Sequence, residues 1–128
     1  MNILLDTCVF LWIVQEPEKI SPSGKLFFAD PDNTVFLSSI TPWEISLKYS
    51  IGKLPLPVPP RIFIPEALEG LAVTPLNLTG EDTFHLPGLP HLHSDPFDRM
   101  LICQAIEHGL TILTPDEAIR SYPVKTLW

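Results

Sequence analysis

Cysteine, positive charge and long apolar runs are all scarce in this chain of 128 residues. Its two cysteines, Cys8 and Cys103, lie in apolar stretches, which argues against a disulfide framework or a zinc knuckle and indicates buried thiols in a reducing compartment. The longest uninterrupted apolar run, residues 8–14, is far shorter than the ~20 residues that a membrane helix needs. The first residues carry an acid where a signal peptide carries positive charge, so we expect a cytoplasmic protein.

Basic side chains are outnumbered by acidic ones. The chain has 8 lysine and arginine residues against 15 aspartate and glutamate residues, which gives a net charge of −7. Such a surface repels nucleic acid and anionic lipid, so an anionic substrate needs local basic residues or a bridging cation. Hydrophobic residues make up 45% of the chain, which is enough to bury a core and argues against disorder. The length predicts a single domain over residues 1–128.

Short, continuously apolar segments alternate with segments of helical character along the chain. Such strands are typical of parallel pairing with helices on both faces of the sheet. The sequence therefore predicts a three-layer α/β/α fold with a central, mostly parallel sheet. The predicted strands cover residues 2–6, 34–38, 72–76, 110–113 and 124–127. The predicted helices cover residues 7–14, 22–29, 41–51, 61–70, 79–85, 95–108 and 115–121, with Pro65 expected at a break or in a first turn.

Three predicted helices begin with a capping side chain, a proline and one or two acids. Their sequences are Thr41-Pro42-Trp43-Glu44, Asp95-Pro96-Phe97-Asp98 and Thr114-Pro115-Asp116-Glu117. Each suits a capping box, in which the acid accepts a free backbone N–H and faces the positive end of the helix dipole. Considered singly, Glu44, Asp98 and Asp116 are explained as helix caps.

Considered together, the same acids indicate a shared site. In a parallel sheet, helices that directly follow strands begin along the carboxyl edge, where ligands bind in this architecture. Asp6 ends the first strand, Glu44 begins the helix after the second, and Asp116 follows a later strand. The long loop before Asp98 leaves its position open. Because carboxylates in one crevice repel one another, we predict a shared Mg²⁺ or Mn²⁺ ion and phosphodiester hydrolysis by metal-activated water.

Four motifs occur in a characteristic order. They are Leu4-Leu5-Asp6-Thr7; Ser39 to Lys48 continuing into Gly52-Lys53-Leu54-Pro55; His93 to Ala105, which contains Asp95-Pro96-Phe97-Asp98-Arg99; and Leu110 to Asp116. In these motifs the chain resembles PIN-domain ribonucleases, specifically the VapC-like toxins of type II toxin–antitoxin pairs. The resemblance implies a Mg²⁺-dependent endoribonuclease, with Mn²⁺ as a substitute, whose catalytic and metal-binding acids are Asp6, Glu44, Asp98 and Asp116. It also implies a small antitoxin protein as partner and a homodimer.

Five further side chains are predicted to contact the RNA substrate. They are Thr7, Lys48, His93, Arg99 and Thr114, of which the last also suits a helix cap. Lys48 follows Glu44 by four residues, so it either forms a helical ion pair or meets a phosphate. Arg99 either contacts RNA or pairs with Asp95, and His93 is expected to border the site and touch substrate or Asp95.

Two other functions fit part of the pattern. Asp6 ends the first strand as the nucleophile of an aspartate phosphatase or phosphoacceptor does, although Cys8 stands where the phosphatase pattern has a second acid. A persistent aspartyl-phosphate would favour this alternative. The other is a catalytically silent interaction module whose acids only cap helices, and absence of Mg²⁺ and Mn²⁺ binding would favour it.

Neither of two remaining patterns is predicted to form a further functional site. His91 and His93 precede Asp95 at the spacing that opens a zinc-hydrolase ligand set, but no later histidine or cysteine completes that set. Large apolar side chains recur at helical spacing, and we expect them in the core rather than as base-stacking platforms. They are Trp12, Trp43, Phe97 and Met100.

Overall fold

The computed structural model describes all 128 residues as a five-stranded sheet between two layers of helices. The strands are β1 (Asn2–Leu5), β2 (Thr34–Ser38), β3 (Val73–Leu76), β4 (Thr111–Leu113) and β5 (Thr126–Leu127). The helices are α1 (Thr7–Gln15), α2 (Pro22–Ala29), α3 (Ile40–Ser50), α4 (Pro60–Glu69), α5 (Gly80–Thr83), α6 (Pro96–His108) and α7 (Glu117–Arg120). None of these helices combines the length and the apolar character needed to cross a membrane. The α/β/α prediction is confirmed.

All neighbouring strands in the sheet are parallel, in the order β3-β2-β1-β4-β5. The chain builds outward from β1 to β3 on one side and then crosses to β4 on the other. The strand order therefore reverses between β1 and β4, where Leu5 lies opposite Leu113. In α/β sheets the crevice at such a reversal, beyond the carboxyl ends of the strands, is the usual ligand site.

The sheet separates two apolar cores. Leu4 and Ile112 pack with α6 and α7 on one face, whereas Ile3 and Leu5 pack with α1, α2 and α4 on the other. Successive side chains of a strand point to opposite faces, so a strand covered on both faces must be apolar throughout. This requirement explains the uninterrupted apolar run of β1, in which residues 3–5 are fully buried.

Pro65 lies inside α4 and does not interrupt it, so the predicted break or first-turn position is wrong. A proline within a helix removes one backbone hydrogen bond. The preceding turn of α4 places Phe63 and Ile64 in the core, each only 7% exposed. Because tertiary packing supplies most helix stability in proteins, this burial keeps the segment helical.

Trp43 is 55% exposed, so its predicted place in the core is wrong. The helix α3 turns Ile45 inward and leaves Trp43, Leu47 and Ile51 on its exposed side. The indole packs against the edge of the α6 residue Phe97, with ring centroids 4.7 Å apart. The spacing of Trp43, Leu47 and Ile51 does place them on one side of α3, but this side faces solvent. The side that contains Ile45 faces the sheet. The other three side chains of that prediction are buried or partly buried.

Both cysteines are free thiols. Cys103 is buried, as predicted, while Cys8 is partly exposed beside Asp6. Burial raises the pKa of both thiols, and the negative charge of Asp6 raises the pKa of Cys8 further. Both side chains are therefore protonated and unreactive at neutral pH.

Candidate functional site

A cleft of about 330 Å³ lies at the carboxyl edge of the sheet, next to the reversal between β1 and β4. Its charged lining consists of five acids and two lysines, namely Asp6, Glu44, Asp95, Asp98, Asp116, Lys48 and Lys53. The rest of the lining is Thr7, Cys8, Leu11, Ile45 and Leu54. The structure thus brings the four acids of the predicted quartet into one cleft, although up to 110 positions separate them in the chain.

Asp6 directly follows β1 and is 4% exposed. It occupies the position before α1, but its carboxylate caps no backbone N–H. Instead Oδ2 accepts hydrogen bonds from Thr114 Oγ1 at 2.7 Å and from Cys8 Sγ at 3.4 Å. Burial raises the pKa of Asp6 by more than these hydrogen bonds lower it. The ionised Asp6 carboxylate therefore lies at the cleft although its burial lowers the stability of the folded protein.

Thr114 connects two of the acids. Its hydroxyl donates to Asp6 and accepts the backbone N–H of Asp116 at 3.0 Å. The predicted cap position is wrong, because α7 begins at Glu117 and is capped by Asp116, which accepts the N–H of Ala118 at 2.8 Å. Thr114 is fully buried and does not line the cleft.

Glu44 does not cap a helix, so the predicted capping box at Thr41 is also wrong. The helix α3 already begins at Ile40, and the Thr41 hydroxyl bonds the Thr7 hydroxyl at 3.1 Å. Glu44 Oε2 accepts a hydrogen bond from Lys48, which confirms the predicted helical ion pair. Glu44 Oε1 is buried without any hydrogen-bond partner. Buried carboxylate oxygens without a partner are rare and costly, so Glu44 Oε1 is a candidate ligand atom for a cation in the cleft.

Asp95 caps α6 as predicted, whereas Asp98 does not complete the box. Asp95 accepts the backbone N–H groups of Phe97 and Asp98 at 2.9 and 3.1 Å. The Asp98 carboxylate turns instead to His93, whose Nε2 lies 3.1 Å from Oδ2. Burial and the charges of the neighbouring acids Asp95, Asp6 and Asp116 raise the pKa of Asp98 to about 7, against the lowering effect of His93. The cleft is therefore short of positive charge.

Asp98 makes the stability of the metal-free protein depend on pH. The pKa of Asp98 is about 7 in the folded protein against an ordinary value of 3.8, so folding favours the protonated carboxyl. Its stabilising contribution is present at low pH and is lost as the pH rises toward 7. We expect the melting temperature in chelator to fall between about pH 5 and about pH 7.5, and to fall less in Asp98→Asn. Equal slopes for both proteins in calorimetry would contradict this.

The chemistry of the cleft fits a hard divalent cation. All five acids offer oxygen donors, Glu44 Oε1 lacks a partner, and mutual repulsion disfavours the ionised state of Asp98. No three histidine, cysteine, aspartate or glutamate side chains are placed closely enough to hold one ion in common. Mg²⁺ commonly binds through one or two carboxylates and keeps several waters, so it does not need three side chains within reach of one ion.

The predicted substrate-binding residues divide into two groups. Thr7 and Lys48 line the cleft, whereas Thr114, His93 and Arg99 do not. Arg99 is 9% exposed, and its NH1 donates to the carbonyl of Pro90 and the hydroxyl of Tyr122. Its predicted pairing with Asp95 is absent. Sequence reasoning missed Tyr122, which contacts His93 and Arg99 from 29 and 23 positions away and carries no local signal.

Comparisons with known proteins give a consistent result. The family described as PIN domain matches residues 3–125. Ribonuclease VapC22 of Mycobacterium tuberculosis is 27% identical over an alignment of 132 residues, which covers 99% of this chain and 98% of that protein. Ribonuclease VapC16 of the same organism is 34% identical over 56 residues, which covers 44% of this chain and only 40% of that protein.

Solved structures share the fold. VapBC2 from Rickettsia felis, bound to a DNA fragment from its promoter, aligns with a TM-score of 0.73 at 18% identity and covers 99% of this chain and 98% of that one. VapBC-1 from nontypeable Haemophilus influenzae aligns with a TM-score of 0.63 at 18% identity, and the alignment covers 99% of this chain and 97% of that one. At such low identity the likeness concerns the arrangement of strands and helices.

Proposed function

The chain belongs to the PIN-domain family, and we propose that it is a Mg²⁺-dependent endoribonuclease that hydrolyses RNA phosphodiester bonds. The observation that carries the proposal is the cleft, where four distant acids meet and Glu44 Oε1 has no protein partner. Asp6, Glu44 and Asp98 cap no helix, so helix capping does not account for them. The full-length similarity to a protein named as a ribonuclease supports the same activity.

The acids have separate tasks in this proposal. Asp6 and Asp98 would hold the cation most directly, with Glu44 and Asp116 completing the cluster partly through water. A bound divalent cation supplies positive charge to the phosphate and lowers the pKa of a water molecule. Thr114 holds Oδ2 of Asp6 at 2.7 Å and thereby keeps this carboxylate at the end of β1.

Lys48 and Lys53 supply the local positive charge that an acidic protein needs to bind RNA. Burial lowers the pKa of Lys48, but the hydrogen bond and charge of Glu44 raise it by more, so the ammonium stays charged. Lys53 is exposed at the cleft and forms no ion pair. We propose that Lys53 contacts a phosphate of the RNA next to the cleaved bond.

Lys53→Ala should weaken RNA binding without slowing the chemical step. Loss of one phosphate contact of about 1 kcal/mol corresponds to a KM that is about 5-fold higher at unchanged kcat. The slope of the logarithm of RNA affinity against the logarithm of salt concentration should also become shallower by about one, which corresponds to one phosphate contact. Lys125 precedes β5 at the opposite edge of the sheet, so Lys125→Ala is the matched control. An equal effect of both substitutions on KM would argue against a phosphate contact.

The proposal is tested with purified protein and a panel of structured and unstructured RNAs. We expect internal cleavage with Mg²⁺ or Mn²⁺ and none in chelator. Cleavage that persists in chelator would refute the metal dependence. If no RNA is cut and neither metal binds, the silent interaction module is favoured, and a stable aspartyl-phosphate on Asp6 would instead favour the phosphatase.

We further propose that the protein is the toxin of a toxin–antitoxin pair, with a small antitoxin as partner, and that it forms a homodimer. The similarity to VapC22 and to two VapBC structures supports an antitoxin partner. The resemblance of the motifs supports the antitoxin partner and the homodimer. Expression of the chain should arrest bacterial growth, and co-expression of its antitoxin should restore it. Light scattering of the purified chain measures the oligomer, and a monomer mass would refute the dimer.

A further inference from the structure

A continuous set of hydrogen bonds leads from the buried Arg99 to Asp98 in the cleft. Arg99 NH1 lies 3.0 Å from the Tyr122 hydroxyl, which lies 2.7 Å from Nδ1 of His93. His93 Nε2 in turn lies 3.1 Å from Oδ2 of Asp98. Two segments that are distant in sequence meet here, namely residues 93–99, which run from the loop before α6 into its first turn, and Tyr122, which follows α7.

The direction of these hydrogen bonds follows from counting protons. The Tyr122 hydroxyl receives N–H groups from Arg99 and from the backbone of Leu92 and His93. Its single proton goes either to Nδ1 of His93, 2.7 Å away, or to the carbonyl of His93, 3.4 Å away. In either case an ionised Asp98 carboxylate only accepts, so Nε2 of His93 carries a proton and donates it to Oδ2.

Arg99 is a buried cation whose hydrogen bonds lead to Asp98. It is 9% exposed and forms no ion pair, so its charge is balanced by no adjacent carboxylate. The nearest acid along the hydrogen bonds is Asp98, reached through Tyr122 and His93. A cation at one end and a carboxylate at the other polarise the intervening bonds in the same direction and strengthen them.

We propose that His93 is a positioning residue for Asp98, held in place by Tyr122 and Arg99. Nε2 of His93 hydrogen-bonds Oδ2 of Asp98, whereas Oδ1 makes no hydrogen bond within the protein and is free to bind a cation in the cleft. The carboxylate is thereby held in one orientation, as outer-shell partners do for metal ligands. This inference rests on the proposed function and replaces the expected substrate contact of His93.

The test compares Mn²⁺ affinity and RNA cleavage in three variants. His93→Ala removes the donor, His93→Gln retains an N–H donor, and His85→Ala removes a histidine from the exposed pair with Glu107, outside the cleft. We expect His93→Ala to weaken Mn²⁺ binding and lower kcat by about 10- to 100-fold each, with KM for RNA unchanged. His93→Gln should recover most of both losses, and His85→Ala should match the wild type.

Three outcomes overturn the inference. A higher KM with wild-type kcat and Mn²⁺ affinity would make His93 a substrate contact. A lower melting temperature with wild-type Mn²⁺ affinity and kcat would make it merely structural, as would failure of His93→Gln to recover either loss. Because Mn²⁺ binding is measured without RNA, a wild-type protein that binds Mn²⁺ but cuts no RNA contradicts the proposed function and leaves the His93 comparison intact.

Discussion

Asp6→Asn is expected to abolish RNA cleavage while leaving the protein folded. The substitution removes the charge with which β1 would hold the cation, and a catalytic metal contributes several kcal/mol to such a reaction. We therefore expect the cleavage rate with Mg²⁺ to fall by at least about 100-fold. Single-turnover cleavage of an RNA from the panel measures it. Asp32→Asn, at an exposed turn, is the matched control and should cleave as the wild type does.

The same substitution should stabilise the metal-free protein. Burial raises the pKa of Asp6, so its ionised form weakens the fold at neutral pH. Asparagine keeps an oxygen that accepts the hydrogen bond of Thr114 and carries no charge. We expect a melting temperature in chelator that is about 3–5 °C higher. An Asp6→Asn protein that still cleaves within tenfold of the wild type, or that melts lower in chelator, would contradict the role given to Asp6.

Phe10→Ala is expected to produce the largest loss of stability. Phe10 is fully buried in the core beneath α1, and its backbone N–H donates to the carbonyl of Asp6 at 3.0 Å. Removing a buried phenylalanine ring costs about 3–5 kcal/mol, a large part of the ~5–15 kcal/mol that stabilises a typical domain. The urea midpoint of unfolding measures the loss.

Two further variants make this result interpretable. Phe10→Leu retains most of the apolar volume and should lose less than about 1.5 kcal/mol, so it remains measurable if Phe10→Ala does not fold. Phe84 is 75% exposed, and Phe84→Ala should change stability by less than about 0.5 kcal/mol. Equal midpoints for Phe10→Ala and Phe84→Ala would show that the core beneath α1 contributes little.

Helix ends were predictable where the signal is local. Asp95 caps α6 from its own first turn, and Gly109 ends it with a φ of +65°, so four or five neighbouring residues define this helix. The same pattern misplaced the starts of α3 and α7. There the hydroxyls of Thr41 and Thr114 bind side chains from distant segments, Thr7 and Asp6, instead of the backbone of their own helices.

The sequence by itself determined the three layers, the parallel sheet and the edge at which Asp6, Glu44 and Asp116 gather, because apolar strand patterns and residue order set these. Only the tertiary structure decided which partners the polar side chains meet. Arg99 and His93 point toward Tyr122 because α7 packs beside α6, an arrangement that no local spacing encodes. The same packing places Asp98 in the cleft, since side-chain direction depends on how helices rest on the sheet.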